Sequence, residues 1–319
     1  MTTGEGQVFP SPDRGDGRIY VLTREIDEAV DVALATGRPL LLRGRPGSGK
    51  SSLAPFVAYQ RGWRYYEYVV SHRTQPQDLL WHYDSVRRLA DAQASVNGDE
   101  RPDDASYVRP GILWWALAPG SAGGLGHRGG TDPFAHINVE RDQDRAVVLI
   151  DEIDKAEPDV PNSLLVPLGS YRFTVTQTGV EVRAEPPRGP ADQRFTRHLV
   201  VITTNEEREL PQAFLRRCVV LTLPDHDEAG LLRIAEQHIG DWHGSVSAPN
   251  RQLAGALAAE LGTVRAQAAA LGVRGPSTAE YLDALRACIT LDIRLGTQRW
   301  ERLRDCVLLK RQQMAEDDW

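Results

Sequence analysis

The stretch 44–51 has the residue types and the spacing of a phosphate-binding loop. It matches the pattern G-x-x-x-x-G-K-[ST] completely and reads Gly44, Arg45, Pro46, Gly47, Ser48, Gly49, Lys50, Ser51, with Ser52 directly after it. Glycines let the loop curl so that backbone N–H groups point at phosphate oxygens, and the following helix presents its positive N-terminus. Lys50 would bridge the β- and γ-phosphates, and the Ser51 hydroxyl would bind Mg²⁺. The complete match favours a nucleotide site over a chance glycine-rich turn.

Two adjacent acids, Asp151 and Glu152, follow the apolar run 146–150. In a nucleotide site, Asp151 would hold Mg²⁺ through water and Glu152 would orient the attacking water. Taken alone, such a pair could be a plain helix cap, but beside a matched phosphate loop it predicts the second half of the site. Asp154 and Lys155 either belong to that site or are solvated charges at a helix start.

Strands that alternate with helices must position these groups. We predict a helix that is capped by Thr23 and ends at Gly37, and further helices after Lys50 and over 78–93 and 112–117. A loop is predicted over 121–130 and a hairpin over 173–183. The predicted buried strands are 39–42, 65–70, 146–150, 199–203 and 219–223. Pro55 is awkward within the helix that follows Lys50. This alternation predicts a parallel sheet that binds ligands at the carboxyl ends of its strands.

The pattern changes after Pro224, where only helical periods follow, over 228–310. The predicted fold class is therefore α/β, a P-loop parallel-sheet αβα sandwich followed by a smaller all-helical lid domain. We place the nucleotide-binding domain at 18–224 and the lid at 225–319. Residues 1–17 are rich in Gly, Pro, Asp and Thr and are predicted to be a flexible segment.

Bulk composition limits the function classes. The 319 residues are 41% hydrophobic and 25% charged, which suits a soluble protein with ordinary cores. The net charge of −7 and the pI near 5.7 give no global attraction to nucleic acid or to an anionic membrane. The three cysteines are widely spaced in apolar surroundings, which predicts buried thiols in a reducing compartment. With no membrane-length apolar run and no leader-like start, we expect a cytoplasmic protein.

Together these motifs resemble those of AAA+ ATPases. The stretch 199–205 is similar to the sensor-1 strand, which would make Asn205 the polar residue that helps place the attacking water. A capping Asn at a strand end is the alternative. The stretch 274–280 resembles the start of the sensor-2 helix in the lid, from which Arg274 would reach the nucleotide phosphates.

The resemblance also implies an arginine finger in the stretch 210–218. Such an arginine acts on the γ-phosphate bound by the neighbouring subunit, where it offsets transition-state charge. We prefer Arg217, because it directly precedes the next strand, and keep Arg216 as substitute or interface partner. Arginines that complement the dipole at a helix end are the alternative.

Two additions to the AAA+ pattern narrow the choice of AAA+ subfamily. An insertion within 78–111 and a hairpin at 171–183, just before sensor 1, are similar to the dynein-related, helix-2-insert clade. The runs 109–114 and 152–168 look most like those of MoxR proteins. The chain departs from them at Ile112, where a second proline is common, in the glycine-rich stretch 121–130 and in the extension 186–190.

A MoxR-like AAA+ ATPase would use ATP and Mg²⁺ and would act as a homo-oligomer, with a hexameric ring expected. The MoxR resemblance implies a client or partner protein, with a von Willebrand factor A domain as one candidate, and neither a membrane nor nucleic acid is expected as a partner. A nucleic-acid-directed motor would need positive charge on the hairpin, where Arg172 and Arg183 stand against Glu181. A nucleotide-gated signalling switch is a third reading. The motifs recognise the phosphates and the metal but not the base, so the choice between ATP and GTP stays open.

Overall fold

Short strands form one large sheet and two small ones in the computed structural model, which describes residues 17–94, 103–125, 131–186, 196–272 and 274–309. In chain order the strands of the described residues are β1 (Leu40–Arg43), β2 (Trp63–Val69), β3 (Trp81–Tyr83), β4 (Val108–Pro110), β5 (Asp142–Asp151), β6 (Arg172–Thr174), β7 (Glu181–Arg183), β8 (His198–Thr204) and β9 (Val219–Thr222). The large sheet is wholly parallel and has the order β2-β5-β8-β1-β9. Antiparallel pairs β3-β4 and β6-β7 form the small sheets.

Helices connect these strands and continue beyond the last one. They are α1 (Arg24–Thr36), α2 (Lys50–Arg61), α3 (Ser85–Ala94), α4 (Ile112–Leu117), α5 (Pro119–Gly124), α6 (Ala135–Asn138), α7 (Asp159–Ser170), α8 (Gln212–Leu215), α9 (Glu228–His243), α10 (Ala248–Ala270), α11 (Thr278–Thr290) and α12 (Gln298–Arg304). Single 3₁₀ turns lie at Pro76–Leu79, Asp104–Tyr107 and Ile153–Lys155, and a π-helix lies at Asp305–Leu309. Among the described residues, none of the helices combines the length and apolar content needed to cross a bilayer.

The central strands of the large sheet, β5, β8 and β1, are buried on both faces, and strand alternation assigns their side chains to two cores. The edge strand β9 is partly exposed, so its prediction as a buried strand was wrong. Val147 and Leu149 of β5 join the core that includes side chains of α1 and α2. Val148 and Ile150 join the opposite core, which includes side chains of α4, α7 and the β6-β7 hairpin. This three-layer arrangement, followed by helices, confirms the predicted αβα fold class.

Local signals explain where the first helices begin and end. The Thr23 hydroxyl accepts a hydrogen bond from the Ile26 N–H at 3.4 Å, and Gly37 closes α1 with φ 67°. Helix α2 runs through Pro55 although proline removes one backbone N–H from the helix. The Pro55 side chain is buried. Gly17 is buried and close to the Pro55 carbonyl, so this last residue of the predicted flexible segment is packed. Residues 1–16 lie outside the described part.

Two local predictions were wrong. The stretch 78–93 is not one helix, because Trp81–Tyr83 pairs with Val108–Pro110 as an antiparallel ladder and only Ser85–Ala94 is helical. Long-range pairing therefore overrides the helical period. The predicted loop 121–130 begins within helix Pro119–Gly124, which starts at a favourable N-terminal proline; residues 126–130 lie outside the described part.

The residues after β9 form a third core of their own. Leu231, Leu257 and Tyr281 pack there, one from each of α9, α10 and α11. The domain boundary near Pro224 stays a prediction.

Cys218 and Cys288 are buried, which raises the pKa of the Cys218 thiol to about 12 and that of Cys288 to about 11. Cys306 is exposed, so the prediction of three buried thiols was wrong for this residue on the terminal π-helix.

Candidate nucleotide-binding site

The phosphate-loop stretch connects β1 to α2 at the carboxyl edge of the large sheet. Gly44 has φ 144° and Gly47 has φ 78°, a region that other residues rarely enter. A Cβ on Gly44 would lie 2.6 Å from the Leu223 carbonyl oxygen, and one on Gly47 would lie 2.5 Å from the Ser277 side chain. Both glycines are therefore required by close packing as well as by the turn.

Lys50, the first residue of α2, is buried under this loop. Its Nζ donates to the carbonyl oxygens of Gly44 at 2.7 Å and Arg45 at 2.9 Å, which holds the ammonium inside the curl of the loop. Burial lowers the pKa of Lys50, and the negative charges of Asp151 and Asp154 oppose that shift. The loop thus holds a poorly hydrated cation that an anionic phosphate would stabilise.

Asp151, at the end of β5, meets two hydroxyl groups. Its Oδ1 accepts hydrogen bonds from Ser51 Oγ at 2.8 Å and from Thr203 Oγ1 at 2.5 Å. Carboxylate and hydroxyl oxygens are the hard ligands that Mg²⁺ prefers. The predicted pair Ser51 and Asp151 therefore has the donor chemistry and the proximity that Mg²⁺ binding requires.

Glu152 has a strained backbone, and each oxygen of its carboxylate accepts one hydrogen bond. Its φ of 58° is unusual for a non-glycine residue, and its N–H donates to Thr203 Oγ1 at 2.9 Å. Oε1 accepts from Asn205 Nδ2 at 3.2 Å, and Oε2 accepts from Lys155 Nζ at 2.5 Å. Strain at a carboxylate held from two sides is typical of functional sites. The structure thus brings together the predicted pair Glu152 and Asn205.

Three further residues belong to this site. Thr203 joins Asp151 to the Glu152 backbone, and Lys155 pairs with the Glu152 carboxylate. Asp154 is only 2% exposed, and its Oδ2 accepts from the N–H groups of Asn205 at 3.2 Å and Glu207 at 2.9 Å. Asp154 and Lys155 are therefore not simply solvated charges. The signal for Thr203 was a hydroxyl residue near the end of a buried strand, two positions before Asn205.

Comparison with known proteins gives the family. The model of the AAA domain of the dynein-related subfamily matches residues 39–218, more than half of the 319 residues. The chain belongs to this family. Among solved structures, a point mutant of RuvB from Thermotoga maritima is similar, with 12% identity, a TM-score of 0.47, and coverage of 89% of this chain and 68% of that chain. NtrX from Brucella abortus has 11% identity, a TM-score of 0.39, and coverage of 77% and 48%. No curated protein matches.

Two predicted residues of this AAA protein lie outside the cluster around Lys50. Arg216 and Arg217 follow α8 and are both exposed. The Arg216 carbonyl accepts from Arg38 Nη1 at 3.1 Å, and Arg217 lines a cavity of about 230 Å³ together with Leu168 and Phe214. Neither arginine has a hydrogen bond to the phosphate loop within the described ranges. Their finger roles stay predictions.

On the side of the AAA site that faces the residues after β9, Arg45 and Arg274 are exposed. The Arg45 guanidinium lies 3.3 Å from the Asp225 carboxylate, which links the phosphate loop to the chain after β9. Ser277, the N-cap of α11, packs against Gly47. The start of α11 therefore touches the phosphate loop, while the nucleotide role of Arg274 stays a prediction.

The hairpin of this AAA domain is joined to the insertion by aromatic packing. The Trp81 ring stacks on Phe173 with centroids 5.7 Å apart, and Trp114 meets the same ring edge-on at 5.8 Å. Trp81 Nε1 also donates to Gln177 Oε1 in the hairpin turn at 2.8 Å. These contacts fix β6-β7 to β3 and α4.

A glutamate offsets part of the positive charge of the hairpin. Arg172 lies 3.7 Å and Arg183 lies 2.8 Å from the Glu181 carboxylate. One acid shared by two arginines leaves these three residues with one net positive charge, which is little for contacts along a phosphate backbone. The hairpin does not favour a nucleic-acid-directed motor.

Proposed function

We propose that this AAA protein is a MoxR-like ATPase that hydrolyses ATP with Mg²⁺ in a hexameric ring and uses the cycle to remodel or assemble partner proteins. The observation that carries the proposal is the convergence of Lys50, Ser51, Asp151, Glu152 and Asn205 at one edge of the sheet. A cation, a pair of metal-binding oxygens and an oriented carboxylate are the groups that phosphoryl transfer to water requires.

Each of these groups has a defined chemical role. The Lys50 ammonium would neutralise phosphate charge, and Ser51 with Asp151 would hold Mg²⁺, which supplies further charge neutralisation when bound. Glu152 would orient a water molecule and accept its proton, because Asn205 and Lys155 fix both of its carboxylate oxygens. The residues after Pro224 would act as the lid, since α11 already contacts the phosphate loop through Ser277.

Arg217→Ala is expected to lower turnover about 100-fold or more while nucleotide affinity changes by less than about threefold, because the guanidinium would act only on transition-state charge. Turnover and affinity are measured for Arg217→Ala and for Arg216→Ala, the adjacent exposed arginine. Mixing Arg217→Ala with Lys50→Ala protein should restore part of the activity, since some sites then combine an intact Lys50 with a neighbour's intact Arg217. No restoration in mixed assemblies would contradict a shared site.

The partner role rests on the MoxR resemblance and on the hairpin and insertion, which form one packed unit. Affinity capture with Glu152→Gln protein held in ATP tests it, with Lys50→Ala protein as the control that cannot bind nucleotide. We expect a hexamer by native mass spectrometry and a partner that only the ATP-bound form retains; a partner with a von Willebrand factor A domain would agree with the MoxR resemblance. A monomer in ATP, or identical capture by both variants, would count against the proposal.

A further inference from the structure

Arg265, on α10, lies at a junction that the proposed chemistry does not use. Its Nε donates to the Pro276 carbonyl at 2.8 Å, and its Nη1 donates to the His226 carbonyl at 2.9 Å. Pro276 directly precedes the N-cap of α11, and His226 directly precedes the N-cap of α9. One guanidinium therefore ties together the starts of two helices that are about 50 residues apart in sequence.

The chain before α11 lies flat against this arginine. A Cβ on Gly275 would approach the Cα and Cγ of Arg265 to 3.3 Å, closer than most such contacts. Helix α11 then begins with a buried capping box, in which the Ser277 N–H donates to Glu280 Oε2 at 2.6 Å and the Glu280 N–H donates to Ser277 Oγ at 3.4 Å. The position of Ser277 is thus fixed from both sides.

Ser277 is also where the helical region meets the phosphate loop, because a Cβ on Gly47 would lie 2.5 Å from its side chain. On the other side of the junction, His226 follows Asp225, which pairs with Arg45 of the loop at 3.3 Å. The two carbonyls that Arg265 binds therefore lie one residue from the two lid-side contacts of the phosphate loop.

Charge and burial support a specific role for the guanidinium. Burial lowers the pKa of Arg265, and the neighbouring Asp225 opposes that shift. Its Nη2 is buried and has no hydrogen-bond partner among the described residues. Arg265 is half-buried, and its guanidinium hydrogen bonds go to backbone carbonyls of helices that already share an apolar core. The guanidinium therefore adds a fixed geometry at this junction to the packing of that core.

We infer that Arg265 is a positioning residue for nucleotide binding: it holds the starts of α9 and α11 in register so that Ser277 and Asp225 keep the lid seated on the phosphate loop. This inference rests on the proposed ATPase function. Arg265 contacts no reacting group, so its loss should weaken nucleotide binding much more than the chemical step.

The test compares Arg265→Met and Arg265→Lys with Arg251→Met. Arg251 is on the same helix and pairs with Glu236 of α9 at 2.6 Å, so it joins α10 to α9 through a salt bridge and has no hydrogen bond or salt bridge with the residues before α11 in the described part. For Arg265→Met we expect the KM for ATP and the Kd of a fluorescent ATP analogue to rise about tenfold or more, with kcat within about threefold of wild type. Arg265→Lys should be intermediate, because an ammonium keeps the charge but not the fixed fork. Arg251→Met should bind like wild type.

Thermal melting separates positioning from general stability. Without nucleotide, Arg265→Met should melt close to Arg251→Met, whereas the rise in Tm on adding ATP should be smaller only for the Arg265 variants. Wild-type KM and Kd in Arg265→Met would overturn the inference, and if that variant does not fold, wild-type values in Arg265→Lys would do so. A wild-type protein that neither binds nor hydrolyses ATP would instead overturn the proposed function.

Discussion

Replacing Glu152 by glutamine is expected to lower ATP turnover at least about 100-fold while the affinity for ATP stays within about threefold. The amide has nearly the shape of the carboxylate, but it cannot accept the proton of the attacking water. The carboxylate oxygens are engaged by Asn205 and Lys155, not by the phosphate loop, so the loop should bind nucleotide as before. Steady-state phosphate release and binding of a fluorescent ATP analogue measure the two effects.

The matched control is Glu209→Gln, which makes the same chemical change at an exposed acid beyond the Asn205 loop. Its turnover and affinity should both equal those of wild type. If Glu152→Gln turned over like Glu209→Gln, Glu152 would not be the group that activates water. A loss of ATP binding in Glu152→Gln would assign the residue to binding, in disagreement with the geometry.

The second large effect is expected for Lys50→Ala, which should weaken ATP binding about 100-fold or more. Hydrogen bonds from a charged donor each contribute about 1.5–3 kcal/mol, and the ammonium would make two or more of them to phosphate oxygens. Turnover should fall with binding. Isothermal titration with ATP and Mg²⁺ measures the loss.

Arg61→Ala controls for the loss of a cation from the same helix, because Arg61 ends α2 in a surface pair with Asp31 at 3.0 Å. Its ATP affinity should be unchanged. The unliganded Lys50→Ala protein should melt near wild type, because removing a cation that burial destabilises offsets the loss of its two bonds to the loop. ATP affinity within about threefold of wild type in Lys50→Ala would contradict the role of the lysine.

Short-range patterns were sufficient to predict the phosphate loop, the apolar strands and the caps of α1. Glycines at 44, 47 and 49, and a lysine at 50, act within a few residues of one another, so their spacing carries the information. Strand order is different. The register that sets Ile150 beside Ile202 places Asp151 next to Thr203, and no local pattern in either segment contains that pairing. The role of Thr203 was missed for this reason.

The insertion shows the same limit. Trp81 pairs with Pro110, 29 positions along the chain, and this contact decides that 81–83 is strand where its own sequence resembles helix. No sequence motif marks Arg265, because its hydrogen bonds go to backbone carbonyls, which every residue has. The predicted role of Arg217 depends on a neighbouring subunit, so it follows neither from the local sequence nor from the exposed position of Arg217 in one protomer.

The ring of Phe173 lies against two indoles from different elements, Trp81 of the insertion and Trp114 of α4. In mechanical terms, these contacts would make the hairpin and the insertion move together relative to the sheet. Tilting the hairpin alone would open both aromatic interfaces, and tilting the insertion alone would open the one between Trp81 and Phe173; either motion would break the bond from Trp81 to Gln177. If the proposed partner remodelling is correct, a partner bound to the hairpin would also be displaced when the insertion moves, because the two segments form one packed unit.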